Sequence, residues 1–333
     1  MERINGAARW MTFMGVQFQP SEVAKMAVII VTAFILSKGQ DEDGASPKAF
    51  KRIMIITGVI CLLIAPENLS TAALLFGVVY LMMFIGRVAM KKLLILAGGL
   101  AGVAIIGVTF LVLTKNSDLP FLHRFDTWRA RIEKFTNDNE VPAAKFDIDK
   151  DAQIAHARIA VATSHVVGKG PGNSVQRDFL SQAFSDFIFA IIIEELGLIG
   201  GAFVVFLYVC LLIRVGRIAK KCERTFPAFL IIGIALLLVS QAIFNMMVAV
   251  GLAPVTGQPL PLISKGGTST LINCAYIGMI LSVSRYTARL GEQKEHDALI
   301  PMQVEVPAEE TNSDAQTAAE PTAKVLNSDA EFE

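Results

Sequence analysis

Long apolar runs separated by short polar stretches dominate the chain. Each of these runs approaches the roughly 20 residues that an α-helix needs to cross the hydrocarbon core of a bilayer. Seven runs can be distinguished, at approximately residues 22–38, 53–67, 70–86, 93–113, 187–213, 226–249 and 269–286. This pattern predicts an all-α polytopic membrane protein with about seven transmembrane helices.

Two polar interruptions help to define where helices begin and end. Pro66 and Asn68 break the apolar pattern between the second and third runs, which predicts a tight turn there. Pro20, Ser21 and Glu22 are typical of a helix start, because an acid in the first turn suits the helix dipole. Lys25 follows Glu22 by three residues, so we expect a local ion pair that contributes little stability.

Basic residues predict the orientation of the runs in the membrane. They precede the second run, join the third to the fourth and the fifth to the sixth, and follow the seventh. If the runs alternate in direction, all of these clusters fall on one side, which the positive-inside rule makes cytoplasmic. The N-terminus and the segments 114–186 and 250–268 are then extracytoplasmic.

Composition agrees with a membrane protein and narrows the chemistry. The chain is 53% hydrophobic and 18% charged, with a mean hydropathy of +0.53, whereas soluble domains have about 25% charged residues. The four cysteines and four histidines show neither paired nor metal-ligand spacing, so neither a disulfide framework nor a zinc site is expected. Residues 1–290 form the predicted membrane domain, and the acidic, Ala- and Pro-rich segment 291–333 is predicted to be a disordered cytoplasmic tail.

Two glycine-rich extracytoplasmic segments are candidates for binding. The first, "GKGPGNSVQRDF" at 168–179, could present backbone N–H groups to an anion, although a flexible loop is the alternative. The second, "GLAPVTGQPLPLISKGGTST" at 251–270, cannot form a regular helix and is apolar, which predicts a loop at 250–268 that re-enters the bundle. Lys265 in this loop could bind a phosphate, the alternative being a lysine that snorkels to the interface.

The predicted outer segment also carries more basic residues than the positive-inside rule leads us to expect. Arg124, Arg129, Arg131 and Arg158 would make a basic outer face. Arginine side chains match the geometry of phosphate groups, and a solvated charged face is the alternative interpretation.

Carboxylates in the fifth run raise a separate question, since they are costly in hydrocarbon. Asp186 stands at its start, and Glu194 and Glu195 lie within it. At about 1.5 Å and 100° per residue, Asp186 would lie about 12 Å from Glu194 and point away from Glu195. The three acids therefore do not form the paired carboxylates of a glycosidase.

Five segments, taken in order, resemble the SEDS family of membrane proteins (shape, elongation, division and sporulation, the FtsW/RodA family). They are "NGAARW...FQPSEVAKM", "PENLSTA", "GKGPGNSVQ", "SDFIFAIIIEELG" and "NMMVAVGLAPVTGQPLPLISKGGTSTL". The resemblance covers residues 3–289, and the last segment is its most specific part. It implies a ten-helix fold, of which this chain matches the last seven helices, so we expect Met1 to be an internal methionine of a longer protein.

The resemblance also implies an activity. Family members are glycosyltransferases that polymerise lipid II, an undecaprenyl-pyrophosphate-linked disaccharide pentapeptide, on the outer face of the cytoplasmic (inner) membrane. Their implied partners are a class B penicillin-binding protein and other proteins of the division machinery, with no nucleic acid. The "KGGTST" segment and the long tail resemble the division branch, which implies septal wall synthesis, and a role in elongation is the alternative.

Site residues follow from the same resemblance. The essential aspartate of the family's "HTDFIF" motif falls on Asp186, the expected general base. No cofactor is certain, although Mg²⁺ or Mn²⁺ could help to neutralise the pyrophosphate. The candidate substrate-binding residues are Arg124, Arg131, Arg158, Lys169, Ser174, Gln176, Thr256 and Lys265. Those expected to be structural or to line a cavity are Glu194, Glu195, Pro259, Pro261, Gly266 and Gly267, with Glu195 expected to face the bundle interior.

The motifs depart from the family pattern at several positions, which leaves the details of lipid II contact open. The family's "LPExHTDF" reads "LSQAFSDF" here, "PDLGT" reads "PENLST", and Lys265 stands where the family has a tyrosine. Two other classes of protein also fit a polytopic chain with intramembrane acids: a flippase for a lipid-linked precursor, and a non-catalytic scaffold of the division machinery. The concentration of polar candidates on one face favours chemistry there.

Overall fold

The computed structural model describes residues 2–4, 7–13, 16–41, 44–113, 148–180 and 183–299. Within these ranges the chain forms mainly helices. Arg124 and Arg131 lie outside the described residues, as does the tail beyond Leu299. The α-helices are α1 (Pro20–Lys38), α2 (Pro47–Ile64), α3 (Leu69–Ile85), α4 (Met90–Leu113), α5 (Ile148–Ala162), α6 (Ile188–Lys221), α7 (Thr225–Ala249) and α8 (Gly267–Leu299).

All seven predicted apolar runs are helical, as α1 to α4 and α6 to α8. Of the described helices, five are long and apolar enough to cross a membrane, namely α1, α4, α6, α7 and α8. The prediction of an all-α polytopic membrane protein is therefore confirmed. Residues Met1–Arg289 form one compact unit, and Leu290–Glu333 is a separate one. Helix α8 runs past the predicted start of the tail at 291.

Local sequence signals explain where several helices begin. Helix α1 starts at Pro20 with Glu22 in its first turn, as predicted. The Ser46 side chain accepts a hydrogen bond from the Ala49 N–H at the start of α2, and the Asn68 side chain accepts one from Thr71 N–H at the start of α3. The predicted turn between the second and third runs is thus confirmed.

Helix α7 is the central element of the bundle, because α1, α3 and α6 all pack against it. A first buried cluster joins α1, α2, α3 and α7, with Ile29, Leu75, Met82, Ile231 and Ile234 almost fully buried. A second cluster lies between α5, α6 and α7 and includes Phe187, Ala190, Ala242 and Leu260. Many other apolar side chains are exposed, which suits a protein whose outer surface contacts lipid.

Short strands accompany the helices near the start of the chain. Strands β1 (Glu2–Ile4), β2 (Ala7–Phe13) and β3 (Val16–Phe18) form an antiparallel sheet in that order, with Thr12 opposite Gln17. Strands β4 (Gln40–Asp41) and β5 (Gly44–Ala45) pair between α1 and α2. The apolar pattern did not predict these strands.

Candidate active site

Asp186 lies in a turn at residues 183–187, immediately before α6 begins at Ile188. Its side chain is half-buried, and the Ser185 hydroxyl donates a hydrogen bond to its Oδ1 at 3.1 Å. Phe187 is buried and Phe184 is exposed, so the turn has one apolar face inside the bundle and one face outside it. This half-buried setting keeps the carboxylate accessible while limiting its contact with water.

The backbone of this turn is bonded to α7 and to the loop at 250–266. The Asn245 side chain of α7 donates from Nδ2 to the Asp186 carbonyl at 2.9 Å and to the Gln258 carbonyl at 2.7 Å. The Ser264 hydroxyl donates to the Ser185 carbonyl at 2.6 Å, and the Lys265 N–H donates to the Phe184 carbonyl at 2.8 Å. The Asp186 turn is thus held in place by donors on two neighbouring segments, of which Asn245 is buried.

The loop at 250–266 is itself held by polar side chains from the helices around it. Gln241 donates to the Pro259 carbonyl at 3.1 Å, and the Tyr208 hydroxyl donates to the Pro261 carbonyl. The Gln258 side chain in turn donates to the Thr71 hydroxyl. These bonds satisfy backbone groups that a proline-rich segment cannot pair within a helix.

One of these anchors rests on a buried ion pair. Lys25 Nζ lies 2.7 Å from Glu22 Oε1 and donates to Gln241 Oε1 at 3.2 Å, with the Lys25 side chain 0% exposed. The expected ion pair is therefore present, but it is buried, which the sequence did not predict. Spacing along a helix reveals which residues can pair but not whether they are buried. Removing one partner of a buried pair strongly destabilises the folded protein, because the other charge is left buried and unpaired.

Glu194 is the acid of α6 that lies in the interior. Its carboxylate is fully buried and accepts hydrogen bonds from Lys169 Nζ at 2.6 Å, from the Ser174 hydroxyl at 2.5 Å, and from the N–H groups of Val175 and Gln176 at 3.3 Å. Glu195, which we expected to face the interior, is only half-buried. Glu194, which we also expected to be structural or to line a cavity, is thus the enclosed acid, and Glu195 is less buried than expected.

Helix α6 is interrupted just after these acids. Gly197 has φ 71° and ψ −172°, outside helical geometry. The loop at 165–170 lies against this break: Lys169 and Gly170 N–H groups donate to the Glu194 and Glu195 carbonyls, while Leu198 and Ile199 donate to the loop carbonyls of residues 165 and 166. The loop thus replaces hydrogen bonds that a continuous helix would have made.

The structure brings some of the predicted binding residues near Asp186 and gives others internal partners. Lys265 is exposed, and its backbone pairs with the Asp186 turn. Arg158 is an exposed residue of α5 that borders Gly251, where an added Cβ would lie 3.0 Å from Arg158 Nε. Lys169 and Ser174 instead bond to Glu194, and Gln176 Oε1 lies 2.6 Å from His156 Nδ1.

The remaining predicted residues belong to the loop before α8. Thr256 is buried and borders a mainly apolar cavity of about 220 Å³, whose other lining residues include Leu69, Leu74, Phe244 and Pro254. The carbonyls of Pro259 and Pro261 accept anchoring hydrogen bonds, and the Gly266 carbonyl accepts from Ser269 and Thr270. Gly267 begins α8. These loop residues shape and fix the site.

The described residues include no group of three or more His, Cys, Asp or Glu side chains that could hold a metal ion. The candidate site consists of the half-buried Asp186 carboxylate, with the exposed residues Lys265 and Arg158 on neighbouring segments. All of its elements meet at the end of the bundle where α1, α3 and α6 begin and α7 ends. The basic links between α3 and α4 and between α6 and α7 lie at the opposite end.

Sequence reasoning missed the side chains that hold the site together, above all Asn245, Gln241 and Tyr208. Each is a polar group within an apolar helix, and each is buried. Polar residues inside transmembrane segments face the bundle interior and find partners there. That rule was applied to the acids of α6 and, applied equally to α7, would have selected Gln241 and Asn245.

Comparison with known proteins identifies relatives over most of the chain. The model of the FtsW/RodA/SpoVE cell cycle proteins matches residues 1–289. The probable peptidoglycan glycosyltransferase FtsW of Geobacter sp. (strain M18) is 34% identical over 281 residues, covering 84% of this chain and 71% of the relative. The same-named protein of Hahella chejuensis is 33% identical over 301 residues, covering 89% and 70%.

Solved structures agree with this relationship. A chain of a peptidoglycan synthase complex that coordinates polymerization and crosslinking superposes with a TM-score of 0.65 at 25% identity, covering 86% of this chain and 75% of that one. The rod shape determining protein RodA of Thermus thermophilus shares the fold, with a TM-score of 0.56 at 23% identity, covering 85% and 71%. The protein described here belongs to the FtsW/RodA/SpoVE family of cell cycle proteins.

Proposed function

We propose that this protein is a multi-pass peptidoglycan glycosyltransferase that polymerises lipid II into glycan strands during cell division, with Asp186 as its general base. Relatives named as probable peptidoglycan glycosyltransferases are 30 to 34% identical to it over most of the chain, which supports the reaction class. The observation that carries the assignment of Asp186 is the anchoring of its turn. Asn245, Ser264 and the Lys265 N–H fix the backbone on both sides of the carboxylate.

The reaction requires one proton transfer and one displacement. A sugar hydroxyl of one lipid II molecule attacks the anomeric carbon of a second, pyrophosphate-linked glycan, so that a glycosidic bond forms and the bond to the pyrophosphate breaks. A hydroxyl is a weak nucleophile near neutral pH, and a positioned carboxylate accelerates the attack by accepting its proton. Asp186 is the base in this scheme, and its fixed backbone reduces the cost of orienting it.

The departing lipid pyrophosphate carries negative charge that nearby cations can stabilise. Lys265 is exposed and its backbone is bonded to the Asp186 turn. Arg158 lies on α5 beside Gly251, at the start of the same loop. We assign these two residues to the pyrophosphate, with Arg124 and Arg131 as further candidates. Lys169 and Ser174 are weaker candidates because Glu194 already engages their side chains.

The positions of basic residues and the similarity to known proteins also support an orientation in the membrane and a set of partner proteins. The basic links between helices favour the opposite end of the bundle as cytoplasmic, which supports a position for Asp186 on the outer face of the cytoplasmic membrane. A related chain occurs in a synthase complex that coordinates polymerization and crosslinking. This likeness supports a class B penicillin-binding protein as partner, and the FtsW-named relatives support the septum and the division machinery as the setting.

A reconstitution experiment tests the proposed function against its two rivals. The protein is placed in liposomes with fluorescent lipid II, with and without a class B penicillin-binding protein. We expect glycan polymer to accumulate, as resolved by gel electrophoresis. Movement of lipid II across the bilayer without polymer would instead indicate a flippase, and binding of the partner protein with neither activity would indicate a scaffold.

A further inference from the structure

A second charged group lies inside the bundle, apart from the Asp186 carboxylate. Glu194 is 0% exposed, and both of its carboxylate oxygens accept hydrogen bonds. These donors come from residues 169–176, which belong to the segment between α5 and α6. A buried carboxylate is costly unless it is paired and hydrogen-bonded, and here the pairing joins a helix to an irregular loop.

The same loop also closes the break in α6 through its backbone. A Cβ built at Gly168 would lie 2.4 Å from both the Glu195 carbonyl oxygen and the Gly197 nitrogen, so the two backbones are in direct contact. At Gly197 an added Cβ would lie 2.2 Å from the Val166 carbonyl oxygen. Glu194 therefore sits where side-chain and backbone contacts both attach the loop to the helix.

Several described residues between this attachment and Asp186 are held by hydrogen bonds or packing. The Ser174 hydroxyl, which donates to Glu194, also accepts from the Arg177 N–H at 3.1 Å, at the short 3₁₀ helix Gln176–Phe179. Phe179 stacks on His156 of α5, with ring centroids 5.1 Å apart. Leu180 and Ala183 are then buried in the cluster that contains Phe187. Contacts on both sides of residues 181–182 therefore relate Glu194's partners to the Asp186 turn.

We propose that Glu194 is a positioning residue for the polymerase reaction. Its carboxylate fixes the loop at 165–176 in the break of α6, and this loop holds the following segment so that Asp186 is correctly placed before α6. In this account Lys169 neutralises Glu194 instead of binding lipid II. The inference rests on the proposed function of Asp186, but the attachment of the loop can be tested independently of activity.

The test uses three variants of the full chain in nanodiscs: Glu194→Gln, Lys169→Met and the double variant. Polymerisation of lipid II gives kcat and KM, and hydrogen–deuterium exchange reports on residues 165–187. For Glu194→Gln we expect faster exchange in this segment, a kcat reduced by about 10- to 100-fold, and an unchanged KM. Lys169→Met leaves a buried unpaired carboxylate, so the double variant should exchange more slowly than this single variant and recover part of its kcat.

Glu195→Gln is the matched control, because it removes the neighbouring half-buried charge of the same helix. It should exchange like the wild-type protein in residues 165–187. The inference is overturned if Glu194→Gln leaves exchange and kcat unchanged, if its activity falls only in proportion to a general loss of folded protein, or if Lys169→Met raises KM alone. If the wild-type chain makes no polymer, the proposed function fails, and the exchange of Glu194→Gln still decides whether Glu194 holds the loop.

Discussion

Asn245 is the side chain that joins Asp186 most directly to the rest of the bundle. Its Nδ2 donates to two carbonyls, those of Asp186 and Gln258, and the residue is 1% exposed. A single amide thus fixes the turn that carries the carboxylate and the loop that lies beside it. The positions of both segments should depend on this residue more than on any contact at their surfaces.

Asn245→Ala should lower both stability and polymerase activity. It removes the donor from two carbonyls, and a buried carbonyl costs about 1 to 3 kcal/mol when left unsatisfied. The measurements are the midpoint of thermal unfolding in detergent and the rate of lipid II polymerisation. Asn173→Ala is the control, since Asn173 is exposed and its side chain donates to the Lys169 carbonyl at 3.1 Å. Equal effects of the two substitutions would contradict the anchoring role.

For single residues, the sequence predicted which side chains are important better than it predicted their burial and their hydrogen-bond partners. The motif around Asp186 placed the carboxylate at the start of a helix, where it is found. The Glu22–Lys25 spacing predicted the ion pair but not its burial, because burial depends on α7 packing across it. The greater burial of Glu194 than of Glu195 has a similar cause, since the segment at 169–176 encloses the Glu194 carboxylate.

Among the elements, the broken helix α6 has a geometry that depends on another segment. Gly168 and Gly172 allow a direct test, because both have φ +79° and lie in the same loop. Gly168→Ala would force a Cβ against the backbone of α6 at 2.4 Å, whereas an added Cβ at Gly172 meets nothing within 4 Å. Both substitutions carry the backbone strain of an L-residue at positive φ, about 1 to 2 kcal/mol.

We therefore expect Gly168→Ala to abolish most polymerase activity and to lower the unfolding temperature well below that of Gly172→Ala. Because both variants carry the same strain of positive φ, the difference between their unfolding temperatures reports on the contact between the loop and the break in α6. Unfolding is followed by a thiol-independent thermal assay in detergent, and polymer by gel electrophoresis. Similar behaviour of the two variants would show that the loop does not pack against the break.

Hydropathy predicted all seven apolar helices but not their full extent. Helix α2 begins at Pro47 and α6 continues to Lys221, because apolar runs mark the stretch in contact with hydrocarbon, whereas helices extend beyond it. Helix α5 was missed because its sequence mixes charged and apolar residues without a long run. The break at Gly197 lies inside an apolar run, and only its contacts with residues 165–170 distinguish it from an ordinary glycine.

The whole molecule places its polar site at one end of the bundle and its basic links at the other. This arrangement predicts that Asn173→Cys is labelled from outside intact cells by a membrane-impermeant maleimide, and that Glu223→Cys is labelled only after permeabilisation. Both positions are exposed, and the native Cys61, Cys210, Cys222 and Cys274 would first be replaced by serine or alanine. Labelling of Glu223→Cys in intact cells would reverse the orientation and move Asp186 away from the outer face.

The central claim is that the Asp186 carboxylate supplies the base for glycan polymerisation in a correctly folded bundle. The most direct measurement compares lipid II polymerisation by Asp186→Asn with that by Asp178→Asn, an exposed acid whose carboxylate pairs with Arg177 at 3.3 Å. We predict that Asp186→Asn loses at least about 100-fold in kcat, as expected for removal of a general base, while Asp178→Asn retains wild-type activity. Wild-type chain growth by a well-folded Asp186→Asn protein would contradict the account.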